Sequence, residues 1–145
     1  VNKVTRQIGA LFDQGHDIEF EYRLDESNPI MQIHSNNLKQ ILTNVIKNAT
    51  ESSSRGDTIS LCTAGKLMHG NNTFVELAVR DTGQGIADDI GNVFNKGVST
   101  KSGAHSGEGL AVVRQLTEAA NGFVTYRSDQ HGTEFRITIP QLQHR

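Results

Sequence analysis

With 145 residues, 35% hydrophobic and 21% charged, the chain has the size and composition of one soluble globular domain. A net charge of −2 gives no basic excess for nucleic acid, and no apolar run approaches the length of a membrane span. The single Cys62 excludes an internal disulfide and fits a cytoplasmic setting. Val4, Ile8, Leu11 and Phe12 have helical spacing. Ile18, Phe20, Tyr22 and Leu24 alternate with Glu19, Glu21 and Arg23, the pattern of a half-buried strand. Asp25-Glu26-Ser27-Asn28-Pro29 signals a turn, and Ile30-Met31-Gln32-Ile33 reads as a further short strand.

Leu38, Ile41, Leu42, Val45, Ile46 and Ala49 make an apolar stripe at helical spacing. Ser35 is the expected cap of that helix, and the run from Ser52 to Gly56 its end. Strands are expected at 58–67 and 73–80, joined through His69-Gly70-Asn71-Asn72. Residues 81–107 are glycine-rich with little periodicity, yet Ile86, Ile90, Val93 and Phe94 interrupt them, which favours a functional loop over a linker. A helix from about 109 to 120 stops at Asn121-Gly122. Residues 123–128 and 134–140 form a last hairpin, with Phe135, Ile137 and Ile139 on one face.

Three short stretches can carry chemistry. Asn44 and Asn48 lie four apart on the rim of the apolar stripe, where core meets opening. A neutral amide there ligates a hard cation through its oxygen without adding charge beside a polyanion; equally, it flanks a core face. Asp81 ends a strand and is followed by Gly83 and Gly85. A carboxylate there accepts a hydrogen bond from an exocyclic amine such as that of adenine, and the glycines let backbone approach a flat ligand. Neither the third glycine of a dinucleotide fingerprint nor a Walker A motif is present. Gly107 and Gly109 open a helix whose free amides attract phosphate, and Lys96 and Lys101 precede them as cations suited to terminal phosphates.

In order, NVIKNA, DTGQGI, FNKGVSTK, GEGL and GTEF resemble the boxes of the ATP-binding catalytic domain of bacterial sensor histidine kinases. That family sits within the gyrase, Hsp90, histidine kinase and MutL ATPases, and the resemblance covers nearly the whole chain. The FNKGVSTK box is most similar to kinases of the citrate and dicarboxylate sensor type. The resemblance implies an α/β two-layer sandwich, with about five mixed, mostly antiparallel strands and helices on one face. It implies a linker end or first helix over 1–14, a catalytic domain over 15–145 and an ATP lid at about 87–107. ATP and Mg²⁺ are the implied substrate and metal.

Residue by residue, the resemblance implies that Asn48 binds Mg²⁺ and Asn44 positions water or the metal. Asp81 recognises the adenine amine with Thr133; Gly83 and Gly85 admit the ring and Ile86 packs on it. Phe94 anchors the lid, Lys101 meets the terminal phosphate, and Gly107 and Gly109 close over the phosphates with Leu110 in the core behind. The acceptor is a histidine on a separate dimerisation domain, upstream in the same polypeptide, which in turn serves a response regulator. The isolated domain is then a cytoplasmic monomer without membrane contact, possessing no acceptor of its own. Of six histidines, only His16-Asp17 resembles an acceptor, and it opens a strand.

The sequence departs from the family pattern at His34, Glu51, His105 and Glu108. Acids at 51 and 108 are unfavourable beside phosphate unless they point away or meet the metal. Glu51, His105 and Glu108 keep open a nucleotide-binding or partner-docking module without catalysis; a serine kinase or ATPase of the same fold is a separate alternative.

Overall fold

A computed structural model describes residues 1–13, 18–53, 56–82, 107–129 and 132–142. In chain order they form α1 (Asn2–Phe12), β1 (Glu19–Arg23), α2 (Ser35–Ser52), β2 (Thr58–His69), β3 (Asn72–Asp81), α3 (Gly107–Ala119), β4 (Phe123–Asp129) and β5 (Gly132–Pro140). Among the described residues the five strands make one sheet, ordered β1-β2-β3-β5-β4. β1 runs parallel to β2, and the other neighbours are antiparallel. α2 is therefore the crossover of a parallel β-α-β unit. The expected α/β sheet, mixed and mostly antiparallel, is the one observed.

Alternation decides which side of the sheet is covered. Val75, Leu77 and Val79 of β3 stand in register with Ile139, Ile137 and Phe135 of β5, and all six are buried. They join Ile59 and Leu61 of β2 in one core with Ile8 of α1, the α2 stripe, and Leu110 and Val113 of α3. The buried alternate residues of β2, β3 and β5 thus share one core with all three helices.

Packing, more than propensity, makes α2 helical. Its 18 residues include four asparagines, two serines and two threonines, all weak helix formers. Its six stripe residues, Leu38 to Ala49, are nevertheless buried. Burial of each large side chain contributes about 1.5–3 kcal/mol, which outweighs propensity deficits of a few tenths each.

Three expectations need correction. The run 30–33 is not a strand: it contributes one bridge, Met31 to Gln141. The Ile33 amide turns back onto the Met31 carbonyl at 2.9 Å, closing the segment before it can extend. The cap of α2 is His34, not Ser35. His34 is extended (φ −64°, ψ 136°), and its Nδ1 accepts the Asn36 N–H at 3.2 Å. An imidazole nitrogen does here what a serine oxygen does elsewhere, and Ser35 becomes the first helical residue. The β2–β3 hairpin also runs longer than its apolar pattern, to His69 and Asn72, with Gly70 at φ 64° in the turn.

Candidate functional site

The helix-facing columns of the sheet end in polar residues. Asp81, last in β3, follows Val75, Leu77 and Val79 on the same face and is 1% exposed. Its register neighbours are Ile59 on β2 and Thr133 on β5. Thr133 is 2% exposed and pairs in turn with Ser128 of β4, their hydroxyl oxygens 3.0 Å apart. Ile59, Asp81, Thr133 and Ser128 therefore form a row across one end of the sheet. A carboxylate withdrawn from water is costly unless donors meet it, so this row is a place where polar chemistry has displaced packing.

Local backbone holds the row in place. Gly132 has φ 141°, and a Cβ there would collide with the Asp81 carbonyl oxygen. Only glycine lets β5 begin this close to the end of β3. On the other side, Thr82 N–H donates to the Thr58 carbonyl at 3.2 Å, and Thr58 N–H donates to Thr82 Oγ1 at 3.0 Å. The chain leaving Asp81 is thus clipped to β2.

The second group of residues lies on α2 and α3. Asn44 and Asn48 are both half-buried, on the rim of the buried stripe. Asn44 Nδ2 donates to the Gly109 carbonyl at 3.1 Å, and Gln40 Nε2 donates to Asn44 Oδ1 at 3.3 Å. Ser52 Oγ donates to the Asn48 carbonyl at 3.0 Å. Leu110 and Val113 anchor the start of α3 in the core, so α3 presents its first turn beside the asparagine face of α2.

The structure therefore brings Asp81 together with Thr133, and Asn44 together with Gly109. Gly107 is the first residue of α3. Gly83, Gly85, Ile86, Phe94, Lys96 and Lys101, with the rest of the expected lid, lie outside the described residues, as do His16 and His105. Glu51 is half-buried one turn beyond Asn48, and the Glu108 side chain is outside the described set. A cavity of about 210 Å³ lined by Thr125, Tyr126, Arg127, Glu134 and Arg136 includes none of the expected site residues. Glu134 and Arg136 have the parity opposite to Thr133 and Phe135, which places that cavity away from the site.

Sequence reasoning missed two contributors. Ser128 follows from extending the alternation of Val124 and Tyr126 by one step. Gln40 is signalled by its place four residues before Asn44 on the same helix face.

Residues 33–143 match the family described as histidine kinase-, DNA gyrase B-, and HSP90-like ATPase. The sensory histidine kinase/phosphatase NtrB of Azospirillum brasilense is 32% identical over 155 residues, covering 98% of this chain and 38% of NtrB. The sensor histidine kinase DcuS of Escherichia coli is 34% identical over 140 residues, covering 92% of this chain and 24% of DcuS. The chain thus spans well under half the length of these relatives. Among solved structures, full-length ShkA in complex with AMPPNP superposes with a TM-score of 0.80 at 27% identity, covering 99% of this chain and 30% of ShkA.

Proposed function

The chain belongs to the histidine kinase-, DNA gyrase B- and HSP90-like ATPase family, and from that premise we propose that it is the ATP-binding catalytic domain of a sensor histidine kinase. It transfers the γ-phosphate of ATP to a histidine on a separate dimerisation domain of the same polypeptide, which then serves a response regulator. The observation that carries the reading is Asp81: a carboxylate 1% exposed, beside Thr133, where the helix-facing core ends. That is the acceptor an adenine amine requires, at the mouth of a sheet and not in its middle.

The remaining roles follow the same logic. Gly83 and Gly85 admit the adenine, Ile86 packs on it and Phe94 anchors the lid of 87–107. Lys96 and Lys101 meet the terminal phosphates, and Gly107 and Gly109 bring the first amides of α3 against them. Asn48 and, second, Asn44 fit a Mg²⁺ ion that takes most of its ligands from phosphate and water, because they offer neutral amide oxygens on a half-buried rim. Bound Mg²⁺ supplies neutralisation of phosphate charge. An amide at Asn44, with no carboxylate base there, favours delivery to a protein acceptor over activation of water.

Within the polypeptide we assign 1–14 to the end of the linker and first helix, and 15–145 to the catalytic domain. No described helix is long and apolar enough to cross a membrane. We place the domain in the cytoplasm, as the kinase part of a longer sensor and monomeric when isolated. The test is incubation of the full polypeptide with γ-radiolabelled ATP and Mg²⁺. Acid-labile, alkali-stable label on the protein is expected. Release of phosphate with no labelled protein would assign an ATPase of the same fold instead.

A further inference from the structure

Asn44 sits between two partners of different chemistry, and they fix its orientation. Gly109 offers a main-chain carbonyl, which only accepts, so the Asn44 end that meets it at 3.1 Å is the NH₂ group. Oδ1 must then face the other way. There Gln40 donates to it from one helical turn earlier, at 3.3 Å. Gln40 itself is exposed and belongs to no part of the core.

We propose that Gln40 is a positioning residue: its side-chain amide holds Asn44 Oδ1 toward the open face of α2 while Gly109 holds Asn44 Nδ2. This rests on the reading of Asn44 as a group that meets water or metal beside the phosphates. An asparagine amide is one planar group turning about its last torsion, so the Gly109 bond already sets Oδ1 on the opposite side, but that orientation is lost whenever the single bond opens. The carbonyl of Gly109 pins the nitrogen to α3; Gln40 supplies a second bond that must also break before the amide turns. Because Gly109 lies in the turn that the site reading sets against phosphate, the relay Gln40–Asn44–Gly109 also ties the metal-facing rim of α2 to that turn across 65 residues of sequence.

The test separates the contact from the function. In the free chain, the NMR order parameter of the Asn44 side-chain amide is compared between wild type and Gln40→Ala, with thermal unfolding as the control for fold. The order parameter is expected to fall while the melting temperature holds. In the full polypeptide, Gln40→Ala is expected to lower the phosphotransfer rate roughly two- to threefold, the cost of freeing one amide among two or three orientations, with KM for ATP little changed. In an Asn44→Ala background the same substitution is expected to do nothing further. An unchanged Asn44 order parameter overturns the proposal whatever the activity. A fallen order parameter with an unchanged rate, or an equal rate loss in the Asn44→Ala background, overturns it as well. A folded wild type that binds no ATP overturns the functional reading on which the proposal rests.

Discussion

Replacing Gly109 by alanine separates what the fold needs from what a ligand needs. Gly109 is the third residue of α3. An ideal Cβ built on it has one described heavy-atom neighbour within 4 Å, Asn44 Cγ at 3.9 Å, which is ordinary van der Waals contact. The described structure therefore has room for the methyl group. Glycine in a helix costs roughly 0.5–1 kcal/mol relative to alanine, so Gly109→Ala should raise stability by about that amount. For a domain of this size that is an increase of about 2–4 °C in melting temperature. The binding consequence has the opposite sign. On the proposed site, where this turn is set against phosphate, the added methyl group displaces at least one backbone N–H contact to it. A charge-assisted hydrogen bond of about 1.5–3 kcal/mol is then lost, and ATP affinity falls roughly ten- to a hundredfold. Scanning calorimetry reads the first effect and isothermal titration the second. A lowered melting temperature would show that the glycine serves packing. A raised one with unchanged ATP affinity would remove this turn from the binding site.

Gly132→Ala should do the reverse and damage the fold. Strain at φ 141° and collision with the Asp81 carbonyl together cost about 2–5 kcal/mol; a denaturant midpoint close to wild type would show that the turn can move away. Leu42→Ala, at a fully buried position of α2, should cost about 2–5 kcal/mol by urea unfolding, and a loss under about 1 kcal/mol would contradict the core described here. Asp81→Asn should keep stability within about 1 kcal/mol but weaken ATP roughly tenfold or more with or without Mg²⁺, by calorimetry; unchanged affinity would dismiss Asp81 as the adenine acceptor. Asp25 accepts from Gly65 N–H at 2.8 Å and from the Ser27 hydroxyl and N–H at 2.7 and 2.9 Å, which hold its carboxyl down at about 2. The folded value lies below the unfolded one, so its contribution is complete above the ordinary carboxylate range and is lost as pH falls toward about 2. Urea unfolding across that window should show a shallower decline for Asp25→Asn, and parallel curves would contradict the linkage.

Much of the fold was legible because its signals are local. The α2 stripe, the alternation of β3 and β5, and the Asn121-Gly122 stop each depend on neighbours within a few residues, and Asn121 indeed takes φ 64°. Asp81 could be placed at a strand end by the same means. What local pattern could not supply is pairing over distance. The parallel match of Glu19 with Thr58 and the order of the sheet arise only when α2 carries the chain across. The segment 30–33 misled because its apolar character reflects burial of Met31, not a continued ladder. His34 was passed over because a serine stood next to it. Gln40 and Ser128 carry local signals, a helical step and a strand alternation, but gain a reason to be singled out once Asn44 meets Gly109 and Ser128 meets Thr133. The five motifs in order conveyed more than any single element, since as a set they point to one family while each alone has an ordinary structural use.

Calorimetric titration of the purified domain with ATP, with and without Mg²⁺, tests nucleotide binding at this site most directly. Saturable binding that Mg²⁺ tightens is the expected result, with Asp81 and the asparagine rim of α2 as its two ends. No binding at millimolar ATP, from a domain whose cooperative unfolding shows it folded, would contradict the account and leave a docking module of the same fold.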